Sequence, residues 1–180
     1  MSPFANAPLL WLDLELTDLD VKKGKIVEIS TLITDGQLNI KAEGPSLVIH
    51  QPEEVLGSMV MWNQNNFTQS GLMEEIRSST VSHKKAYDET LKFIKKHCSF
   101  QTAMLAGSSV YIDREFLGEQ MPEIYNYLHH HIVDLNTLKE LCRRWYPKIP
   151  VYPKNFVHRA KDDILESINE LKYYREVLFK

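Results

Sequence analysis

The chain has 180 residues, of which 43% are hydrophobic and 25% charged, and its formal net charge is −3. This composition is typical of one globular domain, expected to span residues 1–180, and excludes a fibrous or largely disordered chain. The acidic balance excludes a broad basic surface for long duplex nucleic acid, and no apolar run predicts contact with a membrane. Two cysteines without metal-binding spacing indicate reduced thiols, and we expect a cytoplasmic protein, or a mitochondrial-matrix one if a transit peptide has been removed.

Three predicted strands open the chain. Residues 9–16 form an apolar run that two acids interrupt, and residues 25–34 are rich in β-branched side chains. Residues 38–50 show a third strand pattern after a turn at Asp35 and Gly36. The short connections favour an antiparallel arrangement of these strands.

The rest of the chain predicts helices that alternate with two short strands. Short helices broken at Gly57 and Gly71 cover residues 53–79, and longer helices cover residues 82–98, 112–120, 136–145 and 159–178, with Asn136 as an N-cap. Buried strands are expected at residues 102–106 and 132–135. This order indicates an α/β fold with a mixed five-stranded sheet and helices packed on its faces.

Asp13 and Glu15 are two acids in the otherwise apolar segment LLWLDLEL. Residues two apart in a strand face the same side of a sheet, so these carboxylates would stand together and raise each other's pKa. A divalent cation such as Mg²⁺ would offset the repulsion, because it binds carboxylate oxygens. A solvated acidic face on an edge strand, or salt bridges to lysine, explains the same pattern equally well.

Two further places combine acids with a predicted helix start. Asp113 follows a strand and a turn of small residues, where ligands gather in α/β folds, although an acid in a first helical turn is also common without a ligand. His158 precedes Asp162 and Asp163 at the start of the last predicted helix. Helical spacing pairs His158 with Asp162, whereas a loop position for His158 would let Asp163 face the site. Spacing alone leaves both arrangements open.

Three segments, DLELTDLD, AGSSVYIDREFL and HRAKDDI, resemble in order the three motifs of the DEDDh exonucleases, a family of the ribonuclease H-like superfamily. The stretches LNTLKELCRRWYP and ESINELKYYRE extend the likeness to the oligoribonuclease branch, over nearly the whole chain. The resemblance implies a mixed five-stranded sheet whose second strand is antiparallel. It also implies a homodimer that cleaves short oligoribonucleotides from the 3′ end to 5′-mononucleotides.

The resemblance further implies a catalytic set and two divalent ions, Mg²⁺ or Mn²⁺. The matching positions are four metal-binding acids and one general base: Asp13, Glu15, Asp113, Asp163 and His158. The family pattern thereby selects Asp163 over Asp162 by analogy. In the implied mechanism, a metal-bound water attacks the scissile phosphate and His158 accepts its proton, since an imidazole titrates close to working pH.

Four apolar side chains are expected to contact the bases of the substrate. Leu16 and Leu19, beside the acids, would wedge against terminal bases, and Trp62 and Phe67 would stack on them. Phe67 replaces a His that is usual in the family. Core packing is the competing explanation for each of the four.

The resemblance places three polar residues at the 5′-phosphate of the substrate, His130, His131 and Asn136, and Ser109 is also expected to bind the substrate. The family usually has Tyr-Arg in place of His130-His131, and Ser in place of Asn136. Arg stays charged and binds phosphate with two nitrogens, whereas His131 binds it only when protonated, so we expect binding that weakens as the pH rises. Strand alternation would put His129 and His131 on one face and His130 on the other, and two imidazoles alone make a poor zinc site.

Two other functions fit the same residues. A DEDDh exonuclease that acts on DNA would have the same catalytic set, and the 2′-OH is the group that separates the two substrates. A relative with weakened catalysis that binds short RNA would explain the altered phosphate-end residues. The complete five-residue catalytic set favours an active enzyme.

Overall fold

The computed structural model describes residues 7–154 and 159–179. Five strands form one sheet in the order β3-β2-β1-β4-β5. The strands are β1 Leu9–Leu16, β2 Ile26–Thr34, β3 Ile40–Val48, β4 Met104–Gly107 and β5 Ile132–Asp134. β2 pairs antiparallel with β1 and β3, whereas β1 pairs parallel with β4, and β4 with β5. The mixed five-stranded sheet with an antiparallel second strand is therefore confirmed.

Eight helices occupy the described ranges. They are α1 Glu53–Gly57, α2 Met61–Gln69, α3 Leu72–Ser78, α4 His83–His97, α5 Val110–Gln120, α6 Pro122–Tyr127, α7 Leu135–Trp145 and α8 Ala160–Leu178. The sequence did not predict α6, which begins at Pro122, where a missing backbone N–H costs nothing because the first turn has no partner for it. No described helix is long and apolar enough to cross a membrane.

Strand β1 has two faces of different chemistry. Every second residue packs into one core with helices α4, α5 and α6, and these residues are Leu10, Leu12, Leu14 and Leu16. The opposite face carries Trp11, which is fully buried in a second core, followed by Asp13 and Glu15. The period of two in a strand thus places both acids on the face that Trp11 shares.

Helix α8 covers that second face of the sheet. Its residues Ile164 and Ile168 pack with Trp11, Leu32 of β2 and Ala106 of β4. All nine residues of β2 are buried, because this central strand has helices on both of its faces. The packing brings the first turn of α8 over the acidic end of β1.

The start of helix α7 corrects one prediction. Asn136 was expected to be the N-cap, but Asp134 has this position, and its Oδ1 accepts the backbone N–H of Asn136 at 2.9 Å. The same oxygen accepts the backbone N–H of Ser109 at 3.1 Å. A carboxylate oxygen that accepts hydrogen bonds from two backbone N–H groups is a strong helix cap. Strand β5 therefore ends at Asp134, and helix α7 begins at the next residue.

A half-buried glycine in β3 yields a stability prediction. A Cβ atom at Gly44 would lie 2.2 Å from Thr31 Oγ1 and 2.6 Å from the ring of Phe93, whereas a Cβ at Gly57, the last residue of α1, would meet no atom within 4 Å. We expect Gly44→Ala to lower the free energy of unfolding by about 1–3 kcal/mol, as overpacking does. Gly57→Ala should leave it unchanged or raise it slightly. Chemical denaturation of both variants checks this, and equal midpoints would show that the Phe93 ring moves aside at no cost.

Candidate active site

Three carboxylates meet where β1 and α8 cross. Asp13 and Glu15 come from the strand, and Asp163 comes from the first turn of the helix. One carboxylate oxygen from each residue lies within 4.8 Å of the other two, and the three side chains are half-buried. Asp162, one residue earlier, is exposed. The structure therefore brings Asp163, and not Asp162, to the acids of β1.

Asp113 lies beside this group in the first turn of α5. Its side chain is buried, and its Oδ1 accepts the backbone N–H of Leu14 at 2.9 Å. The bond ties the middle of β1 to the helix that follows β4. Burial raises the pKa of Asp113 to about 8, against the lowering effect of this hydrogen bond.

Burial, reinforced by repulsion between the acids, dominates the electrostatics of the cluster. Burial, and then the charges of Asp113 and Glu15, hold the pKa of Asp13 well above its ordinary value. Burial, followed by the charge of Asp163, raises the pKa of Glu15 to about 8. A divalent cation suits this arrangement, because carboxylate oxygens from three side chains converge on one place and a hard cation binds such oxygens. The acids present therefore fit a hard metal ion.

Glu28 is a fifth acid at this site and was not predicted from the sequence. It stands opposite Glu15 in the register of β1 and β2, and it is 2% exposed. Arg159 donates to its Oε1 from Nη2 at 3.2 Å, and the backbone N–H of Ala160 donates to its Oε2 at 3.2 Å. The available signal was an acid inside the β-branched run KIVEISTLIT, where a buried charge needs a partner.

Arg159 links this buried acid to another helix. Its guanidinium also donates two hydrogen bonds to Glu75 of α3, at 2.7 and 2.8 Å. Because Arg159 directly precedes α8, the two acids fix the place where that helix begins. The position of Asp163 on its first turn follows from this contact.

An open cavity of about 410 Å³ adjoins the carboxylates. Its lining is Asp13, Trp62, Ser108, Ser109, Asn136, Lys139, Lys154, Asp163, Glu166 and Ser167. Trp62 is 64% exposed at its edge. The next residue, Asn63, is buried and donates from Nδ2 to the carbonyls of Leu16 and Thr17 at 2.9 and 3.1 Å, so α2 is fastened to the end of β1.

Two lysines form the cationic wall of this cavity. Their ammonium nitrogens lie 3.1 Å (Lys139) and 2.9 Å (Lys154) from the carboxylate of Glu170, which is fully buried. Lys139 also donates to Asn136 at 3.4 Å, and Lys154 donates to Ser108 at 3.1 Å. The two ammonium groups and the carboxylate of Glu170 thus form a buried ion-pair network in the wall of the cavity.

Comparison with known proteins decides the family. A family model described as exonuclease matches residues 10–171. The chain is 47% identical to the oligoribonuclease of Vibrio parahaemolyticus, covering 98% of both chains, and 47% identical to the mitochondrial oligoribonuclease of Mus musculus, covering 96% of this chain and 73% of that one. This chain belongs to the oligoribonuclease family of exonucleases. The resemblance stated from the three motifs is thus confirmed.

Solved structures support the fold independently. Exonuclease I of Methylocaldum szegediense has a TM-score of 0.75 at 17% identity, and E. coli exonuclease I with an oligonucleotide has a TM-score of 0.74 at 14% identity. They cover 97% and 96% of this chain, which spans about 41% of each of theirs. At such low identity the likeness concerns the fold alone.

The predicted contacts of two residues, Leu16 and Phe67, with the bases of the substrate are wrong. Leu16 is 7% exposed and points into the core on the face of β1 opposite the acids, so it does not wedge against a base. Phe67 is 2% exposed and packs among Leu56, Leu72 and Ile76, so its ring is not available for stacking. Leu19 and Trp62 are exposed and stay predictions.

The four polar residues that were predicted to bind the substrate divide into two groups. Ser109 and Asn136 line the cavity and bond to each other through Asn136 Nδ2 and Ser109 Oγ. His130 and His131 are exposed, and neither is one of the described residues that line the cavity. The predicted alternation of the three histidines is wrong, because residues 129–131 form a bend before β5 and their rings converge. His158, the expected base, lies outside the described residues.

The raised pKa values predict how the metal-free protein responds to pH. The folded state keeps protons on Glu15 and Asp113 up to about pH 8, whereas the unfolded chain releases them near their ordinary pKa. The folded state therefore binds more protons between about pH 5 and 8, and the free energy of unfolding falls as the pH rises through this window. Thermal melts in chelator should show a falling Tm that Glu15→Gln flattens, with Asp162→Asn as control. A slope that Glu15→Gln leaves unchanged would contradict the assignment.

The Arg159 contact predicts a second outcome. Arg159→Met removes the group that fixes the start of α8, and a displacement of Asp163 by about 1 Å is enough to lower kcat by about 100-fold. Lys161→Met is the matched control, since Lys161 sits two residues later and pairs at 3.0 Å with the exposed Glu43. Steady-state kinetics on a short oligoribonucleotide, with a melt to verify folding, tests this. Equal kcat values in the two folded variants would remove Arg159 from the site.

Proposed function

We propose that this chain is a 3′→5′ exoribonuclease that hydrolyses short oligoribonucleotides to 5′-mononucleotides. The observation that carries the proposal is the convergence of Asp13, Glu15 and Asp163 beside an open cavity, in a chain 47% identical to an oligoribonuclease. A scaffold without catalysis has no use for carboxylates that repel one another at this distance. The set therefore supports an active enzyme over a binding relative.

The donor set suits two divalent ions, Mg²⁺ or Mn²⁺. When bound, such ions supply an acidic water near neutral pH and offset the charge of the leaving oxygen. Asp13, Glu15 and Asp163 would hold them directly, because their oxygens already face one another. Asp113 has one oxygen committed to Leu14, which leaves the other for a water or an ion at the same place.

The remaining residues act on the substrate and on protons. His158, assigned by the resemblance alone, is proposed to take the proton of the attacking water, as an imidazole can near neutral pH. Trp62 is exposed at the cavity edge and would stack on a base, a contact worth roughly 1–3 kcal/mol. Leu19, also exposed, would lie against the next base.

The far end of the cavity suits a phosphate of a short substrate. Ser109 and Asn136 offer neutral donors there, and Lys139 and Lys154 supply the positive charge. A cavity of about 410 Å³ is in the size range of small-ligand pockets, which favours an oligonucleotide of a few residues over a long strand. We further propose a homodimer in which the exposed His130 and His131 of one chain approach the substrate of the other.

The expected compartment stays the cytoplasm or the mitochondrial matrix. Relatives named as oligoribonucleases come from bacteria, and others are named as mitochondrial. The compartment has no bearing on the chemistry of the site, and localisation of a tagged chain decides between the two.

A chromatographic assay tests the activity. With Mn²⁺, a labelled diribonucleotide should be cleaved fast to mononucleotides, a longer RNA more slowly, and a deoxyribodinucleotide poorly, with chelator stopping all three. Asp163→Ala should lose at least about 1000-fold in kcat, because a carboxylate of the cluster is removed. Asp162→Ala, the exposed neighbour, should keep wild-type activity. No cleavage of any RNA length would overturn the proposal, and better cleavage of the deoxy substrate would favour a DNA exonuclease.

The proposed role of His131 has its own test. If its imidazolium holds a 5′-phosphate, affinity for a 5′-phosphorylated dinucleotide should fall between about pH 6 and 8, as an imidazole loses its proton. His131→Gln should be weaker at low pH and nearly independent of pH. Fluorescence titration with a catalytically silent Asp13→Asn background measures this. A flat curve for the chain with His131 would leave Lys139 and Lys154 as the phosphate ligands.

A further inference from the structure

Three imidazole rings converge in the bend before β5, apart from the carboxylate cluster. The ring centroids of His129 and His130 are 4.4 Å apart, those of His129 and His131 are 4.7 Å apart, and those of His130 and His131 are 4.2 Å apart. A nitrogen atom from each ring lies within 4.8 Å of the other two. A β-strand would send His130 to the opposite face, so the bend is what brings three donors together.

The backbone of this bend is held in place by its neighbours. The N–H of His129 donates to the carbonyl of Ala103 at 2.9 Å, and Arg114 donates to the carbonyl of His129 at 3.2 Å. Arg114 in turn stacks over the ring of Tyr125, with 4.5 Å from its guanidinium carbon to the ring centroid. Within the bend, the N–H of His131 donates to His129 Nδ1 at 3.0 Å. The three side chains therefore project from a backbone that is already ordered.

We propose that His129, His130 and His131 together bind one transition-metal ion of the Zn²⁺, Ni²⁺ or Cu²⁺ class. Neutral imidazole is a preferred ligand of these ions, whereas the hard carboxylate oxygens of the other cluster suit Mg²⁺ or Mn²⁺. Three protein nitrogens and a water complete a tetrahedral zinc site. The chain thus has two metal sites that differ in ligand chemistry.

The rings need only a small movement to close on an ion. Zinc–nitrogen bonds of 2.0–2.1 Å in a tetrahedron place the nitrogens roughly 3.3 Å apart, against the limit of 4.8 Å in the open cluster. The two outer rings project from an exposed turn, so side-chain rotation covers this difference. Binding exchanges the contact between His131 N–H and His129 Nδ1 for a coordinate bond. The nearby charge of Arg114 opposes the cation, but its guanidinium is directed at a carbonyl and at the face of Tyr125.

Calorimetric titration of the untagged chain with Zn²⁺ tests the site. Zn²⁺ also competes with Mg²⁺ for the carboxylates, so the titration is run in an Asp13→Asn/Asp163→Asn background, in which the heat reports the imidazoles. We expect one Zn²⁺ per chain, and a loss of affinity of at least about 10-fold in His130→Gln/His131→Gln. His83→Gln/His97→Gln is the matched control with two histidines removed elsewhere, and it should bind as the wild type does. Asp13→Asn, which weakens the carboxylate cluster, should also retain the Zn²⁺ site.

Two results would overturn the proposal. One is equal Zn²⁺ affinity in the wild type and in His130→Gln/His131→Gln, and the other is a stoichiometry of half a Zn²⁺ per chain, which would place the ion between two copies. Folding of the variants is checked by their melts. In the wild type, Co²⁺ should broaden the ring-proton NMR signals of residues 129–131 before those of His50. The inference is independent of the proposed nuclease activity, since Zn²⁺ binding is measured without substrate.

Discussion

Repulsion between carboxylates on one face of β1 is the constraint on which the rest of the site depends. Asp13 and Glu15 lie on the face of the strand that also carries the buried Trp11, so they cannot turn to bulk water without moving a core residue. The sheet holds them in this register because the opposite face is a row of buried leucines. A slip by one residue would bury both acids in that core, which is far more costly than the repulsion.

Two acids of the site are held by fixed donors of the protein. Asp113 accepts a hydrogen bond from a backbone N–H of β1, and Glu28 accepts hydrogen bonds from Arg159 and from the first N–H of α8. Asp13, Glu15 and Asp163 instead bring their carboxylate oxygens together. The division separates acids that hold the scaffold from acids that face the cavity. A cation is then the natural partner for the second group, because it binds several carboxylate oxygens at once.

The periodicity of the sequence predicted the pair of acids on β1. It could not predict contacts between residues that are far apart in the sequence. The pair Asp13 and Glu15 follows from the period of two in a strand, and the order of strands and helices gave the fold class. Spacing could not choose between Asp162 and Asp163, because the choice depends on how α8 meets the sheet. The Arg159 contact joins residues 131 positions apart, which no local pattern encodes. Phe67 and Leu16 were misplaced for the same reason, since an apolar side chain gives no sign of which surface covers it.

The carboxylate cluster and the histidine cluster differ in how much they destabilise the fold when no metal ion is bound. The carboxylates are half-buried and charged, so without a cation they hold protons at neutral pH or weaken the fold. The histidines are largely exposed and neutral imidazoles repel little, so the folded chain does not need an ion there. Burial therefore couples the carboxylate cluster to folding and to metal, while the histidine bend can gain or lose an ion without disturbing the core. Metal binding at the carboxylates is therefore linked to the stability of the fold, whereas occupancy of the proposed histidine site depends on which metal ions are available.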